Sequence, residues 1–182
     1  MPGNKRLFLG FSPDNAQTAS LQRLQHKLGE VTGTGVDVTP ANLHMTLAFL
    51  GQADGTQEVA LRKEITGLAK PRFRQQLDTL VHWPGAGVVC LWGKAEDSAL
   101  IEMFAATQRI AAKLGLHQSE HTFNPHVTLF RKARQFQPPD WQPEPLILTP
   151  DALHLYQSQS TATGVQYHIL QSWPMTEQHH GA

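Results

Sequence analysis

Two short stretches of this 182-residue chain carry the same pattern, His-x-Thr-Leu: LHMTLAFLG at 43–51 and PHVTLFRKA at 125–133. Each lies in an apolar run that reads as a β-strand, in which residues i and i+2 point to one side. His44 therefore shares a face with Thr46, and His126 with Thr128. Met45, Leu47 and Phe49 fall on the opposite face of the first run, and Val127 and Leu129 on that of the second. Imidazole titrates near neutrality, so one histidine of a pair can take a proton while the other gives one. Hydrolysis of a phosphodiester needs that division, a base to activate water and an acid to protonate the departing alkoxide. The hydroxyls of Thr46 and Thr128 add donors for the non-bridging phosphate oxygens, where the transition state holds charge.

Other chemistries fit less well. A single histidine in a strand is usually an ordinary half-buried residue, but packing alone gives no reason for a second His-x-Thr in a matching context. A metal site needs three or four close ligands. The sequence has no H-x-x-x-H and no cysteine cluster, and His121 is the one additional histidine near a motif. No metal and no cofactor are assigned, and a metal-dependent hydrolase is the weakest alternative. The glycines at Gly33 and Gly35 lack the Lys-Ser/Thr of a phosphate loop, there is no G-x-S-x-G, and Cys90 has no catalytic context. Basic clusters at 70–74 and 131–134 read first as solvated surface, although the second directly follows a motif strand. Phe49, Phe123 and Phe130 lie near the motifs and could stack a base, core packing being the commoner role for any one of them.

The flanking elements must place these residues. The run at 6–12 reads as a strand. Ser12-Pro13-Asp14 then reads as a helix start, with Ser12 capping, and Gly29 as the helix stop. A Gly/Thr-rich loop at 32–35 leads to the first motif strand, 43–50. A helix is expected at 56–69, a half-buried strand at 72–83, a turn at Pro84-Gly85, and a strand at 87–93. A strong helix at 97–114 ends at Gly115, and the second motif strand spans 126–130. A Pro-rich loop at 138–145 precedes two last strands, and His179–His180 reads as a frayed tail. This order predicts an α+β fold with mostly antiparallel sheet.

An internal echo binds the two motifs. Arg6 lies 38 positions before His44, and Val88 lies 38 before His126. Both segments run strand, helix, Leu-Gly, loop and then Asn-x-His-x-Thr-Leu, with Asn42 and Asn124 in matching places. Two similar halves usually pack about an approximate two-fold axis, which predicts motif strands that face one another.

Composition bounds the rest. The length suits a single domain, 1–182, built from two interleaved lobes. Lys plus Arg equals Asp plus Glu at 15 each, which argues against non-specific coating of long nucleic acid but leaves recognition of an RNA end open. One cysteine, no signal-peptide core and no long apolar run predict a cytoplasmic protein without membrane association. A site complete within one chain requires no protein partner, so a monomer is expected.

The opening RLFLGF, with LHMTLAFLG and NPHVTLFR, resembles the two-histidine phosphoesterase superfamily, specifically the bacterial RNA 2′,3′-cyclic phosphodiesterases also called 2′-5′ RNA ligases. The resemblance implies a bilobal α+β fold with helices outside and the active-site cleft between lobes. It implies metal-independent hydrolysis of a terminal 2′,3′-cyclic phosphate to a 2′-phosphomonoester, with His44 as proton donor and His126 as proton acceptor. The resemblance also implies reversible joining of RNA ends through a 2′-5′ bond. The family often carries Arg at the position of Arg131, a candidate substrate contact. Strict alternation from His126 turns Arg131 away, so that role requires a strand end or a bulge. Alternatives are another small cyclic phosphate or a 2′-5′ oligonucleotide as substrate, or a non-catalytic module that binds RNA ends or nucleotides.

Overall fold

A computed structural model of the chain describes residues 3–29 and 35–177. Most of the Gly/Thr-rich loop at 32–35 and the tail with His179 and His180 lie outside the described residues. Strand β1 (Lys5–Phe11) leads into helix α1 (Asn15–Leu28). The cap is Asp14 rather than the expected Ser12. Its carboxylate accepts from the Gln17 backbone N–H at 2.7 Å, and the Gln17 side chain accepts from the Asp14 N–H at 2.9 Å. Two orphan donors are satisfied at once in this Asp-x-x-Gln box; Ser12 has Asn15 three residues on and cannot build it. Its hydroxyl bonds Tyr156 at 2.6 Å instead.

Helix α2 (Gly55–Gly67) starts with the same box, from Asp54 and Gln57. Its far end explains part of the first basic cluster. Lys70 is buried, and its ammonium donates to the carbonyls of Ile65 at 2.7 Å and Leu68 at 2.6 Å. Those are orphan acceptors at a helix end, where a cation is favoured, so Lys70 closes a helix rather than facing solvent. Helix α3 (Ser98–Leu114) stops at Gly115, whose φ of 69° is the left-handed cap geometry.

The strand expected at 72–83 is two. β4 (Gln75–Leu77) pairs with β8 (Leu146–Leu148) in a small separate sheet, while β5 (Thr79–Trp83) pairs with β6 (Val88–Trp92). The chain turns between them at Asp78, whose N–H donates to the Trp92 carbonyl at 3.0 Å. Gly93 permits the crossing, since a Cβ there would lie 1.8 Å from the Gln76 carbonyl oxygen.

The main sheet is antiparallel throughout and includes β2 (Val36–Asp37), β3 (Met45–Ala53), β7 (His126–Arg131), β9 (Ala152–Thr161) and β10 (Gly164–Pro174). Its order is β10-β9-β1-β3-β7-β6-β5. Both halves of the sequence echo are visible as β-α-β units, β1-α1-β3 and β6-α3-β7, each with its two strands paired. The motif strands lie edge to edge rather than face to face, and their register contains one pair, Met45 with Val127. Beyond it the strands part, and β2 takes the vacated edge of β7, opposite Phe130 and Arg131. The crossover helices bind the halves together, because α1 packs on β7 and α3 packs on β3. Met45, Leu47, Val127 and Leu129 are all at most 2% exposed on the covered side, each worth about 1.5–3 kcal/mol of burial. Among the described residues no helix is long and apolar enough to cross a membrane.

Candidate active site

His44 stands immediately before β3 and His126 opens β7. The His44 Nδ1 bonds the backbone carbonyl of Asn42 at 2.8 Å, and the His126 Nδ1 bonds that of Asn124 at 2.7 Å. A carbonyl only accepts, so Nδ1 carries the hydrogen in both rings and Nε2 is the reactive nitrogen of each. The His44 Nε2 meets the Thr46 hydroxyl at 2.9 Å; in the neutral ring that hydroxyl is the donor.

The two asparagines share this backbone task and differ in their side chains. Asn42 donates to the Val165 carbonyl at 2.8 Å and accepts from the Tyr167 N–H at 3.3 Å. It thereby pairs with the free edge of β10 as a strand would, and holds Tyr167 against the His44 ring, with centroids 5.0 Å apart. Asn124 instead accepts from the Trp92 indole at 3.2 Å. The His126 ring meets Trp83 edge-on at 4.8 Å.

His44 is enclosed by Phe8, Tyr156 and Tyr167. Burial lowers its pKa to about 4, against the opposing effect of the Asn42 bond and with further repulsion from Arg131 and His126. Burial lowers His126 as well. Both rings are therefore held neutral near pH 7.

Two bulges decide what else reaches this face. Along β3 the pairing with β1 passes over Leu47, and along β7 the pairing with β6 passes over Leu129. Both are the leucine of the motif. An extra residue reverses the alternation beyond it, so Phe49 and Arg131, expected on the opposite face, return to the side of the histidines. The β7 bulge has its own support. The Leu129 carbonyl accepts from the Val38 N–H and from the buried side chain of Gln25, each at 2.9 Å. The same Gln25 amide also donates to the Val38 carbonyl at 2.9 Å.

The resulting cleft holds about 600 Å³ and is lined by Arg6, Phe8, His44, Thr46, Phe49, Gln52, Arg131 and Tyr167, with Asn, Gln and Ser side chains and no carboxylate. Arg131 lies over the Tyr167 ring, 5.4 Å from its centre, and donates to the Tyr167 hydroxyl. A smaller recess of about 200 Å³ adjoins it and is lined by His126, Asn124 and Phe123 together with Thr46 and Phe49. Thr46 and Phe49 thus stand between the two histidines. Thr128 follows His126 on β7, its hydroxyl 3.6 Å from the Cys90 sulfur. Burial pushes the Cys90 thiol up to about 11, so it stays protonated. Phe130 is 1% exposed in the core and cannot meet a substrate; the bulge that returns Arg131 sends Phe130 inward. Among the described residues no three His, Cys, Asp or Glu side chains gather as a metal site would require.

The sequence reading missed Tyr167, which sits in a strand far from either motif. It also missed Gln25, whose only signal is a polar residue on the buried side of α1.

A family model for LigT-like phosphoesterases matches residues 11–90. The chain is 32% identical to the RNA 2′,3′-cyclic phosphodiesterase of Escherichia coli (strain K12) over 148 residues, 79% of this chain and 81% of that protein. It is 26% identical to the RNA 2′,3′-cyclic phosphodiesterase of Aquifex aeolicus (strain VF5) over 136 residues, covering 69% and 70% of the two chains. Its fold superposes on the crystal structure of E. coli LigT complexed with 3′-AMP with a TM-score of 0.85, at 28% identity, over 96% of this chain and 99% of that one. The chain belongs to the LigT-like phosphoesterases.

Proposed function

We propose that this chain hydrolyses the terminal 2′,3′-cyclic phosphate of RNA to a 2′-phosphomonoester by metal-independent acid–base catalysis. The observation that carries the reading is the matched pair of Nδ1 bonds, which leaves His44 and His126 each with Nε2 as its reactive nitrogen. Water attacks phosphorus while the His126 Nε2 takes its proton. The bond from phosphorus to the 3′-oxygen breaks, and the His44 Nε2–H protonates that oxygen. Thr46, Thr128 and Arg131 hold the non-bridging oxygens. An acid must carry a proton on Nε2, whereas burial favours the neutral His44 ring, whose one hydrogen is on Nδ1. The bound phosphate supplies the remedy, since its negative charge favours imidazolium and offsets the repulsion from Arg131. With a 5′-hydroxyl in place of water as the nucleophile, the same forward steps break the bond to the 3′-oxygen and join RNA ends through a 2′-5′ bond. The reverse, attack of the 3′-hydroxyl on that diester, expels the 5′-hydroxyl and closes the ring.

The test is turnover of a nucleoside 2′,3′-cyclic phosphate in the presence of EDTA, for wild type, His44→Ala and His126→Ala. Wild type turns over, and each variant loses about 10²–10⁴-fold while keeping its far-ultraviolet circular dichroism. Full activity in either variant, or loss on chelation restored by a divalent ion, overturns the mechanism.

A further inference from the structure

We propose that Arg6 forms a second phosphate subsite, for the 5′-phosphate of the terminal nucleotide, which in an RNA is the first internal phosphodiester. The proposal rests on the reading of the histidine pair as the site of the cyclic phosphate.

Arg6 and Arg131 line one cleft, and no Asp or Glu lines it with them. Among the described residues neither guanidinium has a carboxylate partner; the ion pairs are made by Lys5, Arg62, Arg72 and Lys113. In a chain of zero formal net charge this concentrates two positive groups in one recess. A cyclic phosphodiester carries a single negative charge, which Arg131 beside His44 already answers. Arg6 is left for a second anion.

Its place fits the next phosphate along a strand. On β1, Gly10 pairs with Thr46, Phe8 with Phe49, and Arg6 with Gln52. The Arg6 guanidinium lies over the Phe49 ring, 5.0 Å from its centre, and so sits near the level of Phe8. An extended strand advances ~3.3 Å per residue, which puts Phe8 ~7 Å beyond the level of Thr46. That is the scale of one nucleotide step. Contact with the ring face positions the cation and leaves its N–H groups to donate to phosphate oxygens. Gln52 and Gln159 offer amides for the sugar or base between the two phosphates.

The experiment compares kcat/KM for adenosine 2′,3′-cyclic phosphate, for ApA ending in a 2′,3′-cyclic phosphate, and for that dinucleotide with an uncharged methylphosphonate internal linkage. Wild type should prefer the charged dinucleotide by about 10-fold or more, the scale of a charge-assisted hydrogen bond. The methylphosphonate should fall back to the mononucleotide. Arg6→Gln should erase the preference and reduce the slope of log(kcat/KM) against log[salt] for the charged dinucleotide by about 0.7. Equal losses on mononucleotide and dinucleotide, or an undiminished preference for the methylphosphonate, overturn the subsite. Calorimetry with the corresponding 2′-phosphorylated, non-reacting ligands makes the same comparison without turnover. A protein that binds them in the expected order but hydrolyses nothing contradicts the catalytic reading and upholds the subsite.

Discussion

Phe49 and Arg131 occupy the same place in the two halves of the molecule. Each lies five residues beyond its motif histidine, and each is returned to the site face by a bulge at the motif leucine. One half thereby contributes an aromatic wall and the other a cation. An approximately symmetric scaffold becomes an asymmetric site at this pair, with Arg131 on the His44 side and Phe49 between the histidines.

The bulge in β7 depends on Gln25, whose amide reaches the carbonyls of Val38 and Leu129. Gln25→Leu leaves these two acceptors short of a partner and should cost about 1–3 kcal/mol in urea unfolding. It should also lower kcat/KM by disturbing Arg131. In an Arg131→Ala background the activity loss from Gln25→Leu should vanish while the stability loss remains. An activity loss that persists there separates Gln25 from Arg131.

Arg131 is one of the groups that disfavour a proton on His44. Arg131→Ala should therefore raise the His44 pKa above about 4 in the empty protein, read by NMR titration of the imidazole nitrogens. The same variant should bind a 2′-nucleotide about 10–100-fold more weakly, as expected for losing a charge-assisted contact of about 1.5–3 kcal/mol. In wild type, that ligand should itself raise the His44 pKa. A pKa that does not move on binding contradicts the role given to the phosphate charge.

The same burial predicts an acid weakness in the fold. The His44 pKa is lowered from 6.5 to about 4, and that of His126 is lowered too. A depressed folded-state pKa means that the unfolded chain binds protons more readily. The associated stability is whole above pH about 6.5 and is lost as pH falls toward about 4. Urea midpoints should decline across that window, and His44→Gln should flatten the decline. A midpoint that is constant from pH 7 to 4 rules out buried neutral histidines.

Much of this was legible in the residues, because the relevant signals are local. His44 with Thr46, and His126 with Thr128, follow from strand alternation, and the repeated Asn-x-His marks the backbone carbonyls that fix both tautomers. What alternation could not show is where it breaks. Nothing in HMTLAFL or HVTLFR announces a bulge, since the extra residue is a leucine that suits the core either way. Phe49 was therefore put on the wrong face, and Phe130 was offered as a base platform though it is buried. Tyr167 was invisible because it depends on β10 curling back to Asn42, a contact across more than a hundred residues. The motif strands were expected face to face; they lie side by side because the halves share one sheet through Met45 and Val127.

The division of labour between the histidines is the central claim, and a change of leaving group tests it most directly. Replacing the 3′-oxygen of the cyclic phosphate by sulfur creates a leaving thiolate that needs no proton. On that substrate His44→Ala should regain most of its lost rate, within about tenfold of wild type, because the 10²–10⁴-fold worth of an acid is no longer required. His126→Ala should stay as impaired as on the oxygen substrate. Rescue of His126→Ala in place of His44→Ala, or of neither, contradicts the assignment of acid and base.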